Sequence, residues 1–365
     1  MKRAALYLLA LVLFTACGTG KRIKSDNREI VFLDDYIIPR DLEADGTKVG
    51  GLSGIDYFND QYVLVCDHPG NPRFYKADIR IDQKKIDTVI ISEVIELETS
   101  SGFLKDKHLD LEAIRIARNN DEIIITSEGS IQNGKDPAIF SVNHQGEFVS
   151  SFSLPSYFKT SGGQEPRTNG VFEGFSRSYD DNGYWAGMEL PLKKDGSKPK
   201  LFPTKSPVRI THFNEMGEPT TQFVMQLEGI TKIPWLYFAI NGLTELIEYA
   251  PLQFLVLERA FSAGHGSKGY TVRIFDVDAR EATNTLDVEN LKKVNYTTAK
   301  KSLLFDFKSI RKQLKKETID NLEGLTFGPT LKNGNKTLIL ASDNNFNTLG
   351  EQINQIILME IITKN

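Results

Sequence analysis

The sequence predicts an all-β chain, and three observations carry that reading. First, the apolar runs are short and rich in Ile, Val, Leu, Phe and Tyr, as in YVLVCD, EIIITSE, FLVLER and TLILASD, with Asn, Asp, Gly and Pro clusters between them; this is the composition of strands and turns. Second, one short pattern recurs along the chain. Third, the two chain ends together supply a unit that neither completes alone. Helical periodicity is scarce, and residues 304–316, LFDFKSIRKQLKK, are its best candidate.

Taken in order, the chain opens on MKRAALYLLALVLFTAC, with Lys2 and Arg3 ahead of an apolar run from Ala4 to Phe14 and small residues before Cys17. The run is too short to span a bilayer and reads as an export leader, residues 1–17. Phe14-Thr15-Ala16-Cys17 resembles a lipobox, with Phe where Leu is usual. Cys17 is therefore the expected lipidation site, and the mature chain is expected outside the cytoplasm, tethered to a bacterial envelope membrane. Residues 18–28 are polar and read as a flexible tether. Cys66 is the one cysteine left after Cys17, so no intrachain disulfide supports the fold. The formal charge of −4 becomes −6 without Lys2 and Arg3. No basic run points to nucleic acid, and a monomer is expected.

Residues 29–365 show no internal boundary and read as one domain. Several strands lack strict alternation, so both of their faces should be buried. The recurring pattern is Leu52-Ser53-Gly54-Ile55, Leu111-Glu112-Ala113-Ile114, Phe172-Glu173-Gly174-Phe175, Leu243-Thr244-Glu245-Leu246 and Leu322-Glu323-Gly324-Leu325. Each is followed by a strand ending in an acid: Asp67, Glu128, Glu189, Glu258 and Asp343. The starts are 59, 61, 71 and 79 residues apart.

Paired residues of an antiparallel hairpin have a constant index sum, so the turn lies midway between the leading Leu or Phe and the acid. Those midpoints fall at Asn59-Asp60, Asn119-Asn120, Asp180-Asp181, Ala250-Pro251 and Lys332-Asn333, nearly all turn residues. Each repeat is thus a hairpin whose early and late acids lie at one end. Small antiparallel sheets repeated with both faces buried make a β-propeller. Five blades follow from the repeat count, closed by pairing of the N- and C-terminal strands; VRITHFN and YTVRIFDV leave room for a degenerate sixth. The inner hairpins then gather Glu112, Glu173, Glu323 and the five late acids at the channel mouth.

Several stretches are similar to a known family: GGLSGIDY, NGVFEGFSRS followed by MELPL, NGLTELIEY followed by FLVLERAF, and NLEGLTF followed by LILASDNNFN. Together, from about Gly50 to Met359, they resemble the phytase-like family with esterase-like activity, found in exported bacterial propellers. The resemblance implies hydrolysis of phosphate or related esters.

Crowded carboxylates cannot all ionise unless a cation, an Arg or Lys partner, or raised pKa values compensate them. Asp67, Glu128, Glu189, Glu258, Asp343 and Asn344 offer the hard oxygen ligands that calcium takes, and such an ion serves a hydrolase that has no nucleophilic side chain. Equally, acids repeated in every blade can tie blades together through Arg115, Arg177, Arg259 or backbone N–H groups. Glu112, Glu173 and Glu323, with His68 and Arg259 just beyond the late acids, are the candidate catalytic residues. Asn345, together with Arg167 and Asn169 in the loop SYFKTSGGQEPRTNG, are candidates for binding an anionic substrate. Ser53 lacks a nucleophile-elbow context, and the His residues lack metal-binding spacing. Two functions stay open: a cation-dependent ester hydrolase, and a non-catalytic propeller that binds a glycan, peptide or protein at the same mouth.

Overall fold

A computed structural model of the chain describes residues 28–202, 204–347 and 352–363. The leader, Cys17 and all of the tether but Arg28 lie outside these residues.

Five four-stranded antiparallel sheets form a propeller among the described residues. The first blade runs outward from the axis through Leu52–Phe58, Gln61–Cys66, Arg73–Asp82 and Lys85–Glu96. The second comprises Leu111–Ile116, Glu122–Ser127, Ala138–Asn143 and Phe148–Ser151, and the third Phe172–Arg177, Gly183–Met188, Pro207–Asn214 and Pro219–Gln226. The fourth comprises Ala239–Ala250, Gln253–Ser262, Tyr270–Asp278 and Lys300–Asp306. The fifth takes Leu322–Gly328, Thr337–Ser342 and Asn354–Thr363, and its outermost strand is the N-terminal Arg28–Ile38. Arg28 pairs with Thr363 and Ile38 with Asn354, so the two chain ends close the ring. Each inner strand contacts the next, and the last meets the first.

The absence of strict alternation has a direct cause. In the second strand of the first blade, Val63 and Val65 pack into a core with Ile114, Ile123 and Phe140 of the second blade. Leu64 between them points the other way, into a core with Ile339 and Leu358 of the fifth. Ile124 likewise joins the third blade's Phe172 and Phe175, while Ile123 and Ile125 face the first. A strand sandwiched between two blades must be apolar at consecutive positions.

Turn chemistry sets the hairpin register. Phe58 pairs with Gln61, leaving Asn59 and Asp60 as a two-residue loop with φ of 49° and 61°, the left-handed pair of a type I′ turn. Residues 208–214 and 270–277 are the third strands of the third and fourth blades, so they make no sixth blade. Residues 304–316 are not a helix either. They finish the strand Lys300–Asp306 and continue as two short 3-10 turns, because Asp306 caps the first by accepting from the Lys308 backbone N–H.

Candidate acidic site at the channel mouth

Every inner hairpin carries a β-bulge at the same place. The ladder shifts between Leu52 and Gly54, Leu111 and Ile114, Phe172 and Gly174, Leu243 and Glu245, and Leu322 and Gly324. A bulge re-aims the extra residue, and the residues after the leading apolar position are Ser53, Glu112, Glu173, Thr244 and Glu323. Across the ladder, Leu52, Leu111, Phe172 and Leu322 pair with Cys66, Ser127, Met188 and Ser342. The next residue in each case is the acid: Asp67, Glu128, Glu189 or Asp343. The backbone N–H of each donates to the carbonyl of Gly51, Asp110, Val171 or Asn321, at 2.7–3.0 Å.

The fourth blade breaks the pattern. Leu243 pairs with Glu258 itself, so the residue in the acid position is Arg259. Arg259 Nη1 lies 3.0 Å from Glu323 Oε1 and Nη2 lies 3.8 Å from Glu189 Oε1. Its Nη1 also donates to Asn321 Oδ1, and its buried Nε has no hydrogen-bond partner.

Two carboxylate triads form at this end. Single oxygens of Asp110, Glu112 and Glu128 lie within 4.8 Å of one another, as do those of Glu128, Glu173 and Glu189. Glu128 belongs to both. Its Oε1 accepts from the backbone N–H groups of Gly170 and Val171, at 2.7 and 2.5 Å, which holds the carboxylate in place. Among the described residues, no hydrogen bond or ion pair engages the carboxyl groups of Glu112 and Glu173. Asn321 Nδ2 bridges Glu323 and Asp343 at 2.9 and 3.2 Å.

Eight carboxyl groups thus share the mouth with one guanidinium. Burial pushes every one of them up, and for Asp67, Glu112, Glu128, Glu173, Glu323 and Asp343 acidic neighbours add to it. Asp67 rises to about 6, with Asp110 beside it. Glu128 rises to about 8, with Glu189 beside it. Glu189 and Glu323 rise to about 7, although Arg259 opposes the shift. Asp110 rises through burial, although His108 opposes it. Glu112, Glu173 and Asp343 go well above the carboxylate range through burial and their acidic neighbours. For Arg259, burial works against the charged form, but Glu323, Glu173 and Glu189 more than reverse it. The donors in both triads are oxygens alone, the ligands that hard cations take.

Deeper in the channel the charges balance. Arg115 is fully buried; it donates to the carbonyls of Ile55 and Leu325 at 3.0 and 3.3 Å and pairs with Glu245 at 2.8 Å. Asp56 accepts from Arg177 at 2.5 and 2.9 Å and from the Ile116 N–H at 2.8 Å. Two acids and two arginines therefore plug the axis below the mouth; Arg115 and Arg177, expected to pair with the repeated acids, pair with Asp56 and Glu245 instead, and of the three Arg259 alone meets the repeated acids. Beside the mouth lies a cleft of about 330 Å³ lined by Phe261, Tyr270, Asp320 and Gln352. A cleft of the same volume at the opposite end, lined by Arg28, Tyr249 and Lys336, has no contact with the acids.

The expected site residues divide as follows. Glu112, Glu173, Glu323, Asp67, Glu128, Glu189, Asp343 and Arg259 come together. Glu258 does not: its Oε1 pairs with Lys301 at 2.7 Å and its Oε2 accepts from Asn241 and the Glu228 N–H, off the axis. Asn344 is not placed as a ligand, because its buried Oδ1 accepts from the N–H groups of Gly51 and Phe346, both at 3.1 Å. Asn345 is exposed, and its N–H holds Asp343 Oδ1 at 2.7 Å. Arg167 is committed to the carbonyls of Pro191 and Gly196, while Asn169 is exposed with φ of 48°. His68 is exposed at the rim, edge-on to Phe346 with ring centroids 5.4 Å apart. Sequence reasoning missed Asp110, whose signal is an acid directly before the leading Leu, in a position held elsewhere by Gly51, Val171, Gly242 and Asn321.

A family model described as Phytase-like, esterase-like activity of phytase, matches residues 47–346. No curated protein matches the chain. Among solved structures, an exo-beta-1,3-galactanase from Phanerochaete chrysosporium is similar at 8% identity and a TM-score of 0.44, over 91% of this chain and 64% of the other. The chain therefore spans under two thirds of that enzyme's length. A member of the DUF4221 family from Bacteroides vulgatus is similar at 10% identity and a TM-score of 0.41, over 93% and 100%. The catalytic domain of a Coprinopsis cinerea alpha-L-arabinofuranosidase is similar at 9% and 0.43, over 92% and 96%. Likenesses at such identities assign no activity to the chain.

Proposed function

The chain belongs to the phytase-like family, and on that footing we propose that it is a cation-dependent hydrolase of phosphate or related esters working at the acidic mouth of its propeller. The observation that carries this reading is the pair of carboxylate triads joined at Glu128. Asp110, Glu112 and Glu128 would hold one divalent cation, calcium by preference, and Glu128, Glu173 and Glu189 a second. A cation bound there supplies Lewis acidity toward a phosphoryl oxygen and toward water.

The chain's own residues do the rest. Arg259, partly exposed, offers its positive charge to an anionic oxygen. Glu323 and Asn321 fix its guanidinium. Glu112 is half-buried, and no hydrogen bond or ion pair among the described residues engages its carboxyl, which leaves it available to the cation. His68 and Asn345 stand at the rim, where the organic part of a substrate would enter, and the neighbouring cleft beside Tyr270 gives it room. The basic, apolar and small-residue order of the first seventeen residues supports action outside the cytoplasm on a lipid tether at Cys17.

A second reading, a non-catalytic binding propeller, draws on one feature: Glu128 and Asp343 also accept backbone N–H groups, as structural acids do. Phosphate and nitrophenol release from phytate, nitrophenyl phosphate and nitrophenyl acetate, with calcium or chelator, separates the two. Calcium-dependent turnover lost in Glu128→Gln, with the melting temperature in chelator retained, supports the hydrolase. No turnover on any of them, with calcium still raising the melting temperature, supports the binding propeller.

A further inference from the structure

The mouth end carries an apolar promontory that the acidic site does not use. Seven of the twelve large hydrophobic side chains exposed among the described residues lie in two loops, as Leu201, Phe202, Ile233 and Trp235 to Phe238. Tyr237 is 100% exposed and Trp235 71%. The loops adjoin, since the Ile230 N–H donates to the Lys200 carbonyl at 2.9 Å. Residues 232–238 form a braced finger. Trp235 N–H donates to Ala263 O, Ala263 N–H donates to Phe238 O, each at 2.9 Å, and Trp235 lies against His265 with ring centroids 4.5 Å apart.

Cations surround the base of this finger. Lys232 Nζ donates to the Lys268 carbonyl, and Arg311 Nη1 to the Ser267 carbonyl at 3.3 Å. Burial, and after it Arg311 and Lys308, lower the Lys232 pKa, so these charges are near enough to feel one another. Lys198, Lys200 and Lys205 belong to the adjoining loop. The chain as a whole is acidic, at a formal −4, so a basic collar here runs against its overall sign.

We propose that this finger is a membrane-docking element: Trp235, Leu236, Tyr237 and Phe238 enter the interfacial layer of an anionic bilayer while Lys232, Lys268, Lys308 and Arg311 meet its headgroups. Aromatic residues at a tip with cations at its base match the layering of a bilayer, apolar inside and anionic at the surface. A projecting tip also suits insertion better than it suits a protein partner, whose interfaces are broad and packed.

The two tryptophans make the test direct, because Trp185 is 3% exposed in the core and Trp235 is the one that reports on the finger. The full chain is mixed with phosphatidylglycerol or phosphatidylcholine vesicles, and Trp emission and its quenching by brominated acyl chains are read. A blue shift and quenching on phosphatidylglycerol are expected, absent in Trp235→Phe. Weakening of partition by roughly thirtyfold is expected in the Lys268→Gln, Lys308→Gln double variant, from about a fivefold factor per cation. Unchanged emission on anionic vesicles overturns the proposal, even where the apolar leader carries the chain to the vesicle. So does equal insertion into phosphatidylcholine, or a blue shift that follows protein concentration without lipid, which marks a second copy as the occupant.

Discussion

Arg259 and Glu323 form a 3.0 Å ion pair between the fourth and fifth blades, at the one point of the ring where the repeated acid is replaced by a cation. That guanidinium is the only cation ion-paired to the acids of the mouth among the described residues. Arg259→Gln leaves Glu189 and Glu323 without their counter-charge. A loss of about 3 kcal/mol is expected at pH 8, shrinking toward pH 5 as the acids protonate and largely restored by calcium. Urea denaturation at the two pH values, with and without calcium, measures it. A loss of equal size at both would mean that Arg259 acts through packing alone.

Glu128 and Glu258 give a paired experiment, since the sequence presents them as equivalent and the structure separates them. Saturating calcium at about a hundred times its Kd stabilises a single site by about 2.7 kcal/mol, a rise of roughly 4 °C in Tm for a domain of this size. Glu128→Gln should abolish most of that rise. Glu258→Gln should lower the starting Tm, because Lys301 loses the nearer of its two carboxylates and keeps only Glu228 at 3.3 Å, yet leave the calcium response intact. Calorimetric scans of the three proteins decide it, and an unaltered calcium response in Glu128→Gln would remove the shared ligand from the site.

How legible was this in the sequence? Hairpin turns and closure were, because a Leu–acid spacing and turn-forming midpoints are local facts. The fourth blade's register was not. Its ladder shifts twice, between Leu243 and Glu245 and again between Glu248 and Ala250, where the other inner hairpins shift once. Counting inward from the turn cannot see the second bulge, so Glu258 was aligned with the acids when Arg259 belongs there. Asp110 escaped because the position before the leading residue is apolar or neutral in the other blades. Asp56, Arg115, Arg177 and Glu245 are brought together only by ring closure, across three or more blades.

Acid stability follows from the raised carboxyls. Each of them binds its proton more tightly in the folded chain than in the unfolded one. Their contribution is therefore complete below about pH 4, the unfolded carboxylate value, and fades as pH rises through the folded values of about 6 for Asp67, about 7 for Glu189 and Glu323, and about 8 for Glu128. Without cation, the chain should be more stable at pH 5 than at pH 8, the reverse of a protein whose carboxylates are salt-bridged. Calcium should flatten or invert that slope. Stability in chelator that rises from pH 5 to pH 8 would contradict the uncompensated charge on which the candidate site rests.

Asp56 behaves in the opposite sense. Burial alone would raise its carboxyl, but Arg177, then Arg115, more than offset this and hold it below the usual range. Its stabilisation is present above the unfolded value and lost as pH falls through the lower folded one, so it is constant across neutral pH. Asp56→Asn should cost about 3–5 kcal/mol by stranding Arg177 at both pH 5 and pH 8. Calcium titration by calorimetry should give the same affinity as the wild type. Weaker calcium binding in this variant would show that the plug and the mouth are coupled.

Gly51 offers a way to move one acid without changing it. The residue has φ of +62°, and a Cβ placed on it would stand 2.2 Å from Asp67 Oδ1 and 2.6 Å from the Phe346 ring. Gly51→Ala therefore combines backbone strain of about 1–2 kcal/mol with displacement of Asp67, which borders Asp110 at the edge of the first triad. Gly46 is the natural control: its φ is +71° and a Cβ there meets nothing within 4 Å. Gly46→Ala should show the strain alone and leave calcium binding untouched. Gly51→Ala should be the less stable of the two and bind calcium more weakly than the wild type, though more tightly than Glu128→Gln. Equal stabilities for the two alanine variants would mean that Asp67 and Phe346 yield freely, and that the glycine serves the turn and not the acid beside it.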